Sequence, residues 1–236
     1  MGRLRIDKVL ADLQAGTRSE VKKIIRQGRV SVDDVIVKNP EMKVDYETQK
    51  ICLDNNELHL QKFVYYMLNK PAGCVTATKD QINPTVMDYM KEVWRKDLFP
   101  VGRLDLDTEG LLLITNDGEL AHKLLSPRKH VDKVYYAELD GSLRQEMIGQ
   151  FQMGLNIGEE KITLPADLEI LSEHTAKVTI HEGKYHQVKR MFQTCGLKVT
   201  YLKRVRMGTL LLDPKMQKGE FRELTQDEII ELKSGV

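Results

Sequence analysis

Long apolar runs are missing from this sequence: the runs are short, such as Leu111 to Ile114 and Leu210 to Leu212. A membrane-crossing helix needs about 20 apolar residues in a row, so none is expected. Cysteine is scarce, with Cys52, Cys74 and Cys195 far apart and no CxxC, which excludes a disulfide framework or zinc knuckle as the organising principle. The N-terminus has basic residues followed at once by acidic ones, without the apolar core and small-residue cleavage site of a secretory leader. A reducing cytoplasm is the expected compartment. No repeat or low-complexity stretch occurs. Excess charge is missing too: 36 Lys and Arg face 35 Asp and Glu, a net charge of +1, which argues mildly against a nucleic-acid partner. What is present is 41% hydrophobic and 30% charged residues over 236 positions, the make-up of a folded chain with room for one large domain, or one large and one small.

Hydrophobic spacing divides the chain. Ile6, Val9, Leu10 and Leu13 recur at helical intervals up to Gly16. Thr17 and Glu20 have capping-box spacing, and the helix they start buries Val21, Ile24 and Ile25 before Gly28. Val30/Val32 and Val35/Val37 alternate about Asp33-Asp34, a hairpin pattern. The stretch from Asp45 to Leu58 is polar, suiting a strand edge that leads to a linker near Leu60 to Lys62. Beyond it, strands are expected at Phe63 to Leu68, Gly110 to Thr115, Val134 to Leu139, Ala166 to Leu171 and Ala176 to His181. Amphipathic helices are expected through Val86, Met90, Val93 and Trp94, through Leu120, Ala121, Leu124 and Leu125, and through Val188, Met191, Phe192 and Cys195. The class is α+β, with a helix-helix-hairpin module over residues 1–60 and a larger mixed domain over 61–236.

The neutral total hides a polarised distribution. Met1 to Arg29 carries a net charge of +5, and Gly183 to Leu212 has seven basic residues and no acidic one. Two such segments can bind phosphates, since local field outweighs total charge. Two solvated helix faces explain the charge equally simply.

Arg5 to Leu10, Thr17 to Lys23 and Gly28 to Val32 together resemble the S4 RNA-binding domain over roughly residues 3 to 45. One departure is Asp34, where the family's turn commonly has Gly. The resemblance implies that Arg18, Lys22, Lys23, Arg26 and Arg29 contact structured RNA through shape and phosphates. Arg5 and Asp7 are expected to form a structural ion pair.

Gly102 to Gly110 places Asp105, Asp107 and Glu109 at alternate positions. A divalent-metal loop lacks further oxygen ligands at the needed spacing. Paired carboxylates suit glycosidic bond cleavage, and an acidic surface loop is the plain alternative. From these residues alone the plain alternative is preferred.

Gly102 to Gly118 resembles the central motif of the RsuA-type ribosomal RNA pseudouridine synthases. Three further stretches agree in order: Met67 to Gly73 with Pro84 to Val86, Ser126 to Tyr135, and Glu182 to Phe192. With the S4 module, the likeness covers nearly the whole chain. It implies a catalytic domain with a mixed, mainly antiparallel sheet, flanking helices and a central cleft. The implied reaction isomerises uridine to pseudouridine on a flipped-out base, with no cofactor and no metal. By position the family's aspartate falls on Asp105, its tyrosine on Tyr135 and its basic partner on Lys189. Asp105 acts at the ribose, Lys189 favours its ionised form, and Tyr135 stacks on the uracil. Arg103 fills the space the base vacates or pairs with Asp105 or Asp107. Arg128, Lys129 and Arg190 are assigned to phosphates, and Lys70, Pro71 and Gly73 to a turn that shapes the cleft. His186 is read first as a structural histidine. Several segments lean towards the branch acting on small-subunit (16S) rRNA in a pre-ribosomal particle. The alternatives are the same chemistry on 23S rRNA or a non-catalytic assembly factor. A monomer is expected.

Overall fold

The computed structural model describes residues 3–13, 15–46, 48–58, 63–91, 93, 95 and 97–235. These fall into two compact units, Met1–Phe63 with Glu92–Lys96, and Val64–Lys91 with Asp97–Val236. The linker expected at 60–62 and Trp94 lie outside the described residues.

The first unit runs β1 (Leu4–Arg5), α1 (Ile6–Asp12), α2 (Arg18–Arg26), β2 (Val30–Val32), β3 (Val35–Val37), β4 (Lys43–Val44), β5 (Ile51–Leu53) and β6 (Asn56–Leu58). The capping box forms at α2: the Thr17 hydroxyl accepts from the Glu20 amide, and the Glu20 carboxylate accepts from the Thr17 amide at 2.8 Å. Ile6, Val9, Leu10, Val21, Ile25 and Val30 close one core. Asp33 and Asp34 both take left-handed conformations, φ 49° and 62°, so the glycine-free turn keeps the geometry that a two-residue hairpin needs. The polar 45–58 stretch is more than a strand edge: β5 and β6 make a second hairpin, and the antiparallel order is β3-β2-β5-β6. Its turn, Asp54-Asn55, is left-handed at both residues, and its apolar content is too low to announce the strands.

The second unit contains β7 (Tyr65–Lys70), β8 (Phe99–Pro100), β9 (Glu109–Thr115), α3 (Gly118–Leu125), β10 (Lys133–Leu139), α4 (Glu146–Met153), β11 (Asp167–Ile170), β12 (Thr175–Ile180), α5 (Gln187–Thr194), β13 (Val199–Met207), β14 (Leu210–Leu211), β15 (Phe221–Glu223) and α6 (Gln226–Ser234). The main sheet has the order β11-β12-β10-β13-β9-β7-β15. Its pairings are antiparallel except for β13 with β9. Asp117 caps α3 by accepting from the Leu120 amide at 3.0 Å. The helix expected over 86–94 is instead a 3-10 turn at Val86–Met90, which buries Val86 and Met90 without needing α-helical length. Leu125, expected in a core, is 41% exposed at the end of α3. Among the described residues, no helix is long and apolar enough to cross a membrane.

The sheet positions the acidic loop. Parallel pairing sets Gly110 opposite Arg204, and a Cβ at Gly110 would sit 2.2 Å from the Arg204 carbonyl oxygen. With φ at +101° as well, only glycine fits where the loop enters β9.

Candidate active site

The Asp105 loop is pinned from beneath by one side chain. Lys70 ends β7 fully buried, and its ammonium donates to the carbonyls of Pro71 (3.0 Å), Asp105 (3.0 Å) and Thr108 (2.9 Å). Thr76 holds the other flank: its hydroxyl donates to the Leu104 carbonyl at 2.8 Å and accepts from the Leu104 amide at 3.1 Å. The Gly73 amide donates to Leu106 at 2.8 Å. Burial lowers the Lys70 pKa against the pull of nearby acidic groups. Lys70 is thus a fastening for the loop as well as part of a turn. Sequence reasoning missed Thr76 altogether.

With its backbone fixed, the loop offers two carboxylates to one ammonium. Lys189 Nζ lies 3.1 Å from Asp105 Oδ2 and 2.5 Å from Asp107 Oδ1. Burial opposes charge on Lys189, but hydrogen bonds to Asp107 and Asp105 outweigh it and raise the pKa. Burial likewise opposes charge on Asp107, and the Lys189 hydrogen bond holds its carboxyl below the ordinary range. Glu109 turns away, accepting from Tyr201 at 2.8 Å and pairing with Lys218 at 2.8 Å. The three alternating carboxylates are therefore not one cluster. No group of three or more His, Cys, Asp or Glu suited to a metal ion occurs among the described residues.

Lys189 owes its place to the start of α5. The buried Gln187 accepts from the Lys184 amide at 2.9 Å and donates to Glu182 at 3.0 Å. His186 precedes the helix in a left-handed conformation, φ 50°, with Nε2 3.5 Å from Asp105 Oδ1. It sits beside the Asp105 carboxylate. The 70%-exposed Tyr185 stacks on it, ring centroids 3.8 Å apart.

Asp105 and His186 line a small open pocket of about 70 Å³ together with Arg103, Tyr135, Ile180, Val188 and Leu202. Tyr135, Ile180 and Leu202 are buried residues of β10, β12 and β13 and make an apolar floor, with charge at the rim. The structure thus unites Asp105, Lys189 and Tyr135 from three separate motifs.

Other expected contact residues fare differently. Arg103 lines the pocket, exposed, and pairs with neither Asp105 nor Asp107, whose carboxylates are held by Lys189. Arg190 pairs through its guanidinium with Glu159 at 2.8 Å and donates to the Tyr185 and Ile157 carbonyls, bracing neighbouring loops. Arg128 and Lys129 stand exposed on a short 3-10 turn. In the first unit, Lys23 and Arg26 are exposed and Lys22 half-buried on α2. Arg29 pairs with Asp54, and Arg18 approaches the buried Asp7 at 3.8 Å. Arg5 and Asp7 form the expected pair at 2.9 Å. Arg204, part of the basic 183–212 segment, is buried in the sheet and cannot belong to a phosphate-binding surface.

Residues 64–194 match the family described as RNA pseudouridylate synthase, and residues 4–49 match the S4 domain. The chain is 43% identical to the uncharacterized RNA pseudouridine synthase YtzG of Bacillus subtilis, over 96% of this chain and 97% of that protein. It is 42% identical to the ribosomal small subunit pseudouridine synthase A of Vibrio cholerae, over 96% and 98%. A solved structure described as a pseudouridylate synthase has 39% identity and a TM-score of 0.70, covering 97% of this chain and 99% of that one.

Proposed function

For a chain that belongs to the RNA pseudouridylate synthase family and carries an N-terminal S4 domain, we propose that the substrate is one uridine of small-subunit (16S) rRNA, with Asp105, Lys189 and Tyr135 serving the reaction. The enzyme isomerises uridine to pseudouridine. The N1–C1′ bond breaks, the uracil turns, a C5–C1′ bond forms, and the C5 proton is replaced by one on N1. Water is not consumed, so one carboxylate at the ribose suffices, whereas hydrolysis usually takes two.

The observation that carries the assignment is the Asp105–Lys189 pair at the rim of a pocket floored by Tyr135. Asp105 acts at C1′ or at the 2′ proton. Lys189 keeps a positive charge beside it, and Tyr135 offers its ring to the uracil. A uridine within folded RNA must be extruded to reach this pocket. Arg103 at the rim is placed to occupy the gap in the RNA. The exposed cations of α2 and of the 128–129 turn supply phosphate contacts. The small-subunit target is supported by the name of the Vibrio cholerae relative, and the substrate is taken to be a pre-ribosomal particle, met by a cytoplasmic monomer.

Carbodiimide–primer-extension mapping of rRNA from a strain lacking the protein tests the target. Loss of a single stop in small-subunit rRNA is the expected result. An unchanged small-subunit pattern with a stop lost from the large subunit would refute it.

A further inference from the structure

Two cations are buried side by side in the sheet face that floors the pocket, and no described carboxylate is within ion-pair distance of either. Lys133 is 6% exposed and Arg204 1%. Lys133 donates to the Val131 carbonyl at 3.0 Å, and Arg204 donates through Nε to the Leu111 carbonyl at 2.8 Å, while its Nη2 is buried without a partner. The register places both against the floor. Lys133 is opposite Ile180 and two residues from Tyr135 on β10; Arg204 is opposite Tyr135 and two residues from Leu202 on β13. The burial alternation of β10 puts Lys133 and Tyr135 on one face. Their charges repel, and the attraction of Lys133 to Asp132 and to Glu182 ranks below the repulsion from Arg204.

Buried charges normally persist only when paired, and replacing an uncompensated one by an apolar chain of similar size costs nothing or stabilises. A like-charged pair without a counter-ion therefore points to an anion that is present only during turnover. Taking the Asp105–Tyr135 pocket as the uracil site, we infer that Lys133 and Arg204 act through the pocket floor to stabilise the negative charge that uracil carries while detached from the ribose. When N1–C1′ breaks, the bonding pair stays on N1 and spreads over the ring as a uracil anion. That pair is returned when C5 bonds C1′ and the C5 proton is passed to N1. An RNA phosphate is the wrong counter-ion, because both cations are buried away from solvent. Neither residue needs to touch the base. A fixed charge already in place when the anion forms requires no reorganisation at that moment.

The test uses the full-length protein in single-turnover reactions with an RNA holding uridine or 5-fluorouridine at the target, following loss of the N-linked nucleoside. Fluorine withdraws electron density and makes the base a better leaving group, so it lessens the need for outside stabilisation. Lys133→Met is expected to slow uridine cleavage on the order of 10²-fold, with RNA affinity and thermal midpoint undiminished. The deficit should shrink several-fold with 5-fluorouridine, and Lys133→Arg should restore most of the rate. Lys133→Gln, which keeps a donor for Val131, repeats the measurement if the methionine variant does not fold. An equal deficit with both bases, or no deficit at all, overturns the inference. Asp105→Ala separates the two claims: activity surviving in that variant removes the site assignment itself, whatever Lys133 does.

Discussion

The Lys70 ammonium donates to the backbone carbonyl of Asp105 at 3.0 Å, whereas the Asp105 carboxylate meets a different ammonium, Lys189, at 3.1 Å. One lysine fixes where the residue is, and the other pairs with its carboxylate. The division has a physical basis. A buried cation satisfied by carbonyls can hold a loop without competing for the Asp105 carboxylate, and a partly exposed one can pair with that carboxylate without anchoring the chain.

Lys70→Met should therefore damage position and leave the Asp105–Lys189 pair chemically intact. It strips the Pro71, Asp105 and Thr108 carbonyls of their donor, at about 1–3 kcal/mol for a buried group left unsatisfied. Urea denaturation should show a loss in that range or above, and turnover should fall more than RNA affinity. Unchanged stability and rate would mean that the loop holds itself.

Gly110→Ala is expected to be among the most damaging substitutions of small size. The new methyl meets the Arg204 backbone, which cannot move without breaking the β9–β13 pairing, and the positive φ adds strain. A stability loss of about 3 kcal/mol or more follows, read as a lower urea midpoint. Gly118→Ala, where nothing lies within 4 Å of the added Cβ, is the matched control.

Lys133 makes a pH-dependent contribution with a definite sign. Burial, then repulsion from Arg204, lowers its pKa from 10.5 to about 8, with Asp132 and Glu182 opposing. Between that value and the unfolded value the unfolded chain binds more protons, so stability from this group rises with pH from about 8 towards 10.5, by on the order of 3 kcal/mol. Comparing unfolding at pH 7.5 and pH 10 should show this rise in the native protein relative to Lys133→Met. Parallel pH curves for the two would contradict it.

The sequence showed most of the fold where local signals were strong. Capping boxes, alternating valines and the buried run Leu111 to Ile114 each define an element by themselves. Other elements were hidden because their cause is tertiary. β13 carries Lys203, Arg204 and Arg206, so its composition resembles a solvated basic segment; only the sheet around it accounts for a buried arginine. Lys70 sits before Pro71 and Gly73, and local pattern assigns such a lysine to a turn. Its buried role arises from the loop folded over it 35 residues later. Asp105, Tyr135 and Lys189 could be chosen through family resemblance, whereas three alternating carboxylates alone favoured a surface loop. The neutral total charge misled in a similar way: it averages over α2, whose cations stand on one small helix.

RNA affinity should bear the mark of that helix. Replacing Lys22, Lys23 and Arg26 together by Gln should weaken binding across RNA sequences alike. It should also flatten the plot of log affinity against log salt by about 2. Arg29→Gln should do less, because its guanidinium is already paired with Asp54. A larger loss from Arg29 than from the triple variant would place the RNA on the hairpin side of the module.

The central claim is that one carboxylate does the chemistry while its neighbour tunes the shared lysine. Release of tritium from 5-tritiated uridine in a small-subunit rRNA transcript measures this directly, using the native protein, Asp105→Asn and Asp107→Asn. The account predicts full release by the native protein, none by Asp105→Asn, and a few-fold slower release by Asp107→Asn, which takes the 2.5 Å partner from Lys189. Release by Asp105→Asn at the native rate would contradict it.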